Sequence, residues 1–289
     1  MNPRSNGIAI IGPGRVGQAL GKLLRVEGFP VLFVAARSLT AAQRAVRFIG
    51  SGRPVAFSAP ELTSAPVILL TTSDSALAQV ARRLAALRND WAGRVVLHTS
   101  GSVPASVLSA LKRRGAAIGS LHPYQTIPNP ATGARNLRGG FWGIEGDPAA
   151  RRVAARWVKA LGGIAFPIRP EKKILYHAAA FMVCPTLVTL MDQSTRFLAL
   201  SGVPDKIARP MLARFVTETV KNFVELGGQK ALTGPASRGD WQIIRRHLGA
   251  LRRDFPGTVP LYQELLRAML RLAGKRAPAG LTGTRRRRV

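Results

Sequence analysis

The sequence predicts a chain that is α/β and then all-α: a doubly wound, mostly parallel sheet followed by a C-terminal helical domain. Three observations predict it. Short apolar runs alternate with helical patterns through residue 168. A glycine-rich turn of the form G-x-G-x-x-G follows the first run. From residue 169 onward only helical patterns remain.

The elements read in order. Residues 8–11 are a short buried-strand run ending in glycines. Val16, Leu20, Leu23 and Leu24 then recur at helical spacing, and Gly28 is placed to end that helix. Residues 31–34 form a second strand, and a helix follows from Ser38, a residue suited to an N-cap, to residue 48. Runs at 67–70 and 94–97 flank a helical pattern over 77–87. A helix over 104–111, strands at 117–121 and 141–144, a helix over 148–161 and a strand at 164–166 complete this half. Four helices follow, over 171–201, 204–227, 240–254 and 258–273, with a loop at 227–239. The domains expected are therefore 1–168, 169–275 and a basic tail over 276–289, disordered by its Pro/Gly-rich approach and its Arg285 to Arg288 cluster.

The glycine-rich turn is Gly12-Pro13-Gly14-Arg15-Val16-Gly17. Preceded by a strand and opening a helix, it is the phosphate loop of a Rossmann domain. Gly12 permits the tight turn, Gly14 lets backbone approach a pyrophosphate, and Gly17 lets helix and strand pack closely. The helix N-terminus supplies N–H groups to the phosphates. A Walker-type kinase loop is excluded, since no Gly-Lys-Ser/Thr follows. NAD sites place an acid about 20 residues beyond the loop. Here the second strand ends in Ala36, Arg37 and Ser38 instead. A guanidinium at Arg37, with Ser38 beside it, suits the 2′-phosphate of NADP(H), although Arg37 also reads as one more surface arginine.

Apolar strands end abruptly in polar residues: Thr71, Thr72, Ser73 and Asp74; His98, Thr99, Ser100 and Gly101; and His122 with Pro123. Ligands of such sheets bind beyond the strand ends, so these residues are candidates to hold the nicotinamide end or to orient substrate, with helix capping as the simpler reading for some. Lys173 and His177, four apart, share a helix face. As a pair they would polarise a carbonyl or imine and supply a proton; the alternative is a solvated lysine and a core-edge histidine. The expected catalytic set is Lys173, His177, His98 and Ser100. Thr233, Arg238 and Asp240, in a Gly- and hydroxyl-rich loop, join His122 as substrate contacts, with Asp240 as a plain N-cap the modest reading.

Composition bounds the rest. Of 289 residues 46% are hydrophobic, enough for a sizeable core. The one cysteine, Cys184, excludes a disulfide framework and a multi-cysteine metal site, and fits a reducing compartment. No apolar run approaches the roughly 18–20 residues of a membrane span, and no signal peptide is read, so a cytoplasmic protein without a membrane role is expected. The net charge of +29 raises nucleic-acid binding, but the arginines are spread over the helices rather than gathered with aromatics in one patch. No specific nucleic-acid partner is expected.

These residues resemble the Rossmann-like proteins carrying a C-terminal domain of unknown function, DUF2520. Those proteins are in turn similar to pyrroline-5-carboxylate reductase and the 6-phosphogluconate dehydrogenase group. The resemblance covers residues 7–273. It rests on Gly12 to Gly17, His98 to Gly101, Ser120 to Pro123, Ile144 to Asp147, Lys173 to Ala179, and Ala231 to Asp240 with His247 and Leu248. It implies an NADP-dependent oxidoreductase, often dimeric, with a helical domain over the cofactor. The family carries a Ser-Asn pair where this chain has Cys184-Pro185, which implies altered specificity or weak activity. A proline there should also kink the helix.

The function expected is NADP(H)-dependent reduction, or the reverse oxidation, of a C=O or C=N bond in a small, anionic substrate, by a homodimer joined through its helical domain. The alternative is a non-catalytic NADP(H)-binding sensor. A polyanion-binding protein is a third reading.

Overall fold

The computed structural model describes residues 7–278 and 280–282. The arginine cluster of the expected tail, Arg285 to Arg288, lies outside the described residues. Two compact units are present, Met1–Val188 and Thr189–Val289.

The first unit is built on an eight-stranded sheet in the order β3-β2-β1-β4-β5-β6-β7-β8. In sequence its elements are β1 (Ile8–Ile11), α1 (Arg15–Val26), β2 (Val31–Ala35), α2 (Leu39–Ile49), β3 (Arg53–Val55), β4 (Val67–Leu70), α3 (Asp74–Ala86), β5 (Val95–His98), α4 (Ser109–Lys112), β6 (Ala117–Pro123), α5 (Pro130–Asn136), β7 (Phe141–Gly146), α6 (Pro148–Ala160) and β8 (Ile164–Pro167). All neighbours pair in parallel except β6 with β7.

The strands are apolar throughout because both faces are covered. Ile8 and Ile10 of β1 point into one core with Leu20, Leu24, Leu97 and Trp157. Ala9 and Ile11 point into another with Leu70, Leu77, Leu84 and Trp91. Burying each such leucine or isoleucine contributes about 1.5–3 kcal/mol. Two elements escaped the sequence reading. Strand β3 is three residues long and includes Arg53 and Pro54, so it has no apolar run to announce it. It lies at the sheet edge, where a proline is tolerated. Helix α5 is announced only by its cap, Asn129, whose side chain accepts from the Thr132 N–H at 2.9 Å. The helix expected over 104–111 is a tighter 3₁₀ turn (Ala105–Leu108) running into α4.

Helix α7 (Lys173–Leu200) begins in the first unit and ends in the second. It runs on through Pro185. Proline has no N–H for the carbonyl four residues back, that of Phe181, and the Thr186 hydroxyl donates to this carbonyl at 3.0 Å. The second unit adds α8 (Asp205–Ala231), α9 (Pro235–Arg238), α10 (Trp241–Asp254) and α11 (Val259–Leu272). The break expected after residue 227 is a single non-helical residue, Gly227 (φ 75°, ψ 167°), beyond which helix resumes to Ala231. A small core of Ile244, Leu248, Leu266 and Leu270 joins α10 and α11.

The expectation that no segment is apolar enough to span a membrane needs correction. Pro170–Leu200 is 31 residues of helix, and its best 18-residue window has a mean hydropathy of 1.7. Counting uninterrupted apolar runs missed it, because Thr, His and Pro punctuate the segment without adding charge.

Candidate functional site

The parallel register aligns Ile11 with Leu70, Leu70 with His98, and His98 with Ser120. The residues just beyond them therefore share one rim of the sheet: the loop Gly12 to Gly17, then Thr71 to Ser73, then Thr99 to Gly101, then His122. The strand order reverses between β1 and β4, and a crevice for a ligand opens at such a switch.

The loop is held from the neighbouring strand. Gly12 has φ +75°, and a Cβ there would lie 2.4 Å from Cγ2 of Thr72; at Gly17 it would lie 2.2 Å from Oγ1 of Thr71. The Thr71 hydroxyl donates to the Gly12 carbonyl at 2.7 Å. Gln18 donates to the Pro13 carbonyl at 2.9 Å. Helix α1 opens from Gly14 with no side-chain cap and no acid in its first turn. Its leading N–H groups, at Arg15 and Val16, thus face no competing carboxylate, as anion binding requires.

Beside the loop lies a cavity of about 390 Å³ lined by Gly12, Arg37, Ser38, Phe57, Thr72 and Arg83. Ser38 caps α2, accepting from the Ala41 N–H at 3.2 Å. The Arg83 guanidinium stacks on the Phe57 ring, 4.8 Å from its centroid. Oγ1 of Thr72 is buried without a hydrogen-bond partner, a polar atom that a ligand would satisfy. Ser73 stands exposed at the start of α3, its hydroxyl 3.3 Å from that of Ser75. Phe57 and Arg83 escaped the sequence reading, since no local motif marks them.

A second set of polar residues is sealed beneath the rim. The antiparallel pairing of β6 and β7 sets Ser120 opposite Glu145. Lys173, first residue of α7, places Nζ 2.5 Å from the Ser120 hydroxyl and 2.9 Å from Oε1 of Glu145. That same oxygen accepts the Ala105 N–H at 2.8 Å. The Lys173 and Glu145 side chains are 1% and 4% exposed. Burial pulls the Lys173 pKa down while Glu145 pulls it back up. His98 is fully buried; its Nδ1 accepts the Ser100 N–H at 3.1 Å. Burial, then the Lys173 charge, lowers its pKa to about 3, so the ring is neutral. The Ser100 hydroxyl is also committed, accepting from the N–H groups of Ser102 and Val103 at 3.2 and 3.0 Å. The sequence reading set Lys173, His98 and Ser100 at a reacting carbon. In the structure Lys173 and Ser100 are buried with internal partners, and His98 is buried with its Nε2 unpartnered.

The accessible groups lie one turn along α7. His177 and His122 both line a cavity of about 770 Å³ whose other walls include Tyr124, Ile127, Phe181, Val183, Cys184 and Val188. Nδ1 of His122 is 2.8 Å from the Tyr176 hydroxyl, and the two imidazoles meet edge to face with centroids 6.2 Å apart. Gly101 makes this closure possible: a Cβ there would lie 2.6 Å from Nε2 of His122 and 2.8 Å from Cδ2 of His177. Burial, then the Lys173 charge and His177, hold the His122 pKa down at about 4, and burial raises that of the Tyr176 phenol. Tyr176, Ser120 and Glu145 were not singled out from sequence, although all three lie inside motifs that were.

Thr233, Arg238 and Asp240 belong to the second unit. Thr233 is exposed, Arg238 is the exposed last residue of α9, and Asp240 caps α10 by accepting the Ile243 N–H at 3.3 Å.

Comparison with known proteins accords with this fold. A candidate NADP oxidoreductase of Bacteroides fragilis superposes with a TM-score of 0.75 at 22% identity, covering 93% of this chain and all (100%) of its own. A Thermotoga maritima protein gives 0.69 at 23% identity over 92% of this chain and 98% of its own. A pyrroline-5-carboxylate reductase of Coxiella burnetii gives 0.60 at 18% identity over 97% and 100%. No curated protein matches the sequence. Family models match residues 1–123 as a Rossmann-like domain and residues 140–269 as the domain of unknown function DUF2520. Successive parts of the chain thus match a Rossmann-like domain and a DUF2520 domain.

Proposed function

We propose that the protein is an oxidoreductase that uses NADP(H) to reduce a C=O or C=N bond of a small molecule. The observation that carries this reading is the placement of His122 and His177 at a cavity on the same sheet rim as the Gly12–Gly17 loop. The similar folds of an NADP oxidoreductase and a pyrroline-5-carboxylate reductase support it.

The residues fit the cofactor. The unpartnered hydroxyl of Thr72, the uncapped start of α1 and the Arg37-bearing cavity follow one another along the rim. Phe57 and Arg83 would flank the adenine, Arg37 and Ser38 would hold the 2′-phosphate, and the first N–H groups of α1 would hold the pyrophosphate. When bound, the nicotinamide supplies the hydride. The chain's own work is to orient the substrate and move one proton. His122, neutral and fixed by Tyr176, acts as a hydrogen-bonding partner for the substrate's polar atom. His177 passes the proton to that oxygen or nitrogen as carbon receives hydride.

Replacing Arg37 by Ala is expected to weaken NADPH binding by about 10- to 100-fold, as for a lost charge-assisted hydrogen bond, and to leave NADH binding nearly unchanged. Titration calorimetry with both nucleotides reads this directly. Failure of the wild type to bind either one would remove the oxidoreductase reading altogether.

The partner we propose is a second copy of the chain, joined through the helical region. On α7, Phe181 and Met182 are exposed, and on α8 Phe215, Phe223 and Val224 are 71%, 61% and 76% exposed. Apolar surface on this scale marks an interface. Sedimentation equilibrium at micromolar concentration should give twice the chain mass of 31.0 kDa. A monomer under those conditions would refute the dimer.

A further inference from the structure

We infer that the cavity beside His122 and His177 takes a neutral, largely hydrocarbon substrate whose single polar group is the reducible C=O or C=N. This rests on the oxidoreductase reading and narrows it.

The argument is one of lining. The cavity, about 770 Å³, is of the size that encloses a small ligand. Its apolar walls include Ile127, Pro128, Phe181, Val183, Pro185 and Val188, and no lysine or arginine is among the lining residues. The nearest buried cation, Lys173, is already spent on Glu145 and Ser120. His122 adds no charge at neutral pH, since its pKa lies at about 4. A carboxylate or phosphate placed here would lose part of its water and meet no lysine or arginine in exchange, which is costly. A ring or alkyl chain loses only unfavourable hydration. The polar lining residues are grouped rather than scattered: His122, Tyr124, Gln125 and Thr126 follow closely at the end of β6, and His177 meets His122 there. One polar atom of a ligand can be satisfied at that end while the rest lies against apolar side chains. The net charge of +29 suggested an anionic substrate from sequence alone, but that charge is not what lines this cavity.

The reaction then balances simply. Hydride from the reduced nicotinamide forms the new C–H bond, the C=O or C=N π-bond breaks onto oxygen or nitrogen, and a proton arrives there by way of His177. The products are alcohol or amine and the oxidised cofactor.

Cys184, the chain's one cysteine, lies in the cavity wall and provides a readout that does not depend on turnover. The experiment measures alkylation of Cys184 in the intact protein by iodoacetamide, with and without 4-alkylcyclohexanones of increasing chain length, and with 4-oxocyclohexanecarboxylate as the charged counterpart. The ketones should slow alkylation, with apparent affinity rising about fourfold per methylene, and the carboxylate should bind at least about tenfold more weakly. Phe181→Arg should narrow or reverse that order. Equal or better protection by the carboxylate overturns the inference. So does absence of protection by any probe, and so does a Cys184 that reacts only after unfolding, since a second copy of the chain would then fill the cavity. Protection by the ketones without their reduction by NADPH would leave the cavity's preference standing and remove the oxidoreductase reading instead.

Discussion

His177→Ala and His122→Phe are each expected to lower kcat by about a hundredfold to ten-thousandfold while leaving NADPH affinity within about twofold of wild type. A positioned general acid contributes on that scale. Both imidazoles line the same cavity, at the opposite side of the rim from the Arg37 cavity that would take the nucleotide. Tyr176→Phe removes the hydroxyl that sits 2.8 Å from Nδ1 of His122 and should cost less, about tenfold, because the ring stays packed and loses only its tether. The pH dependence bears on His122. His122 is held neutral down to about pH 4 by its burial and by the Lys173 charge, so it adds no step to kcat/KM between pH 5 and 8. Steady-state kinetics with fluorescence titration of NADPH measures all of this. Unchanged turnover in both variants would discard the imidazole mechanism and leave a nucleotide-binding sensor as the better account.

Lys173→Met is expected to destabilise the fold by about 3–5 kcal/mol, read as a shift in the urea unfolding midpoint. The cost is not the loss of a favourable contact so much as the Glu145 carboxylate left charged and buried with no cation beside it. Against a total stability of about 5–15 kcal/mol, that is a large fraction. The second variant tests the cause. Glu145→Gln retains an oxygen for the Ala105 N–H but removes the charge, so the double variant should recover much of what the single one lost. A double variant as unstable as the Lys173→Met single, or a single with no measurable loss, would show that the buried pair is not what holds β6, β7 and α7 together. Surface pairs such as Arg196 with Asp192, both more than half exposed, should contribute little by comparison.

Much of the fold was legible in local patterns. The phosphate loop announces itself because its constraints lie within six consecutive residues, and strand and helix periods are properties of short windows. Ser38 as the cap of α2 and Asp240 as the cap of α10 follow the same rule. The site was legible only in part. His122 and His177 could be singled out as titratable groups in suggestive places, but their meeting over Gly101 depends on β5, β6 and α7 arriving at one point.

Sequence by itself determined the class of the domain, the order of its elements and the presence of a glycine-rich loop between β1 and α1, because each follows from spacing along the chain. Tertiary structure decided which polar groups are free to act. Lys173 and His177 share a helix and a face, and nothing local distinguishes them. The pairing of Ser120 with Glu145 across β6 and β7 captures the first and buries it, and leaves the second, one turn on, in the wall of a cavity. The physical reason is that desolvation and charge pairing depend on neighbours brought together from 28 and 53 residues away, and no window of sequence contains them.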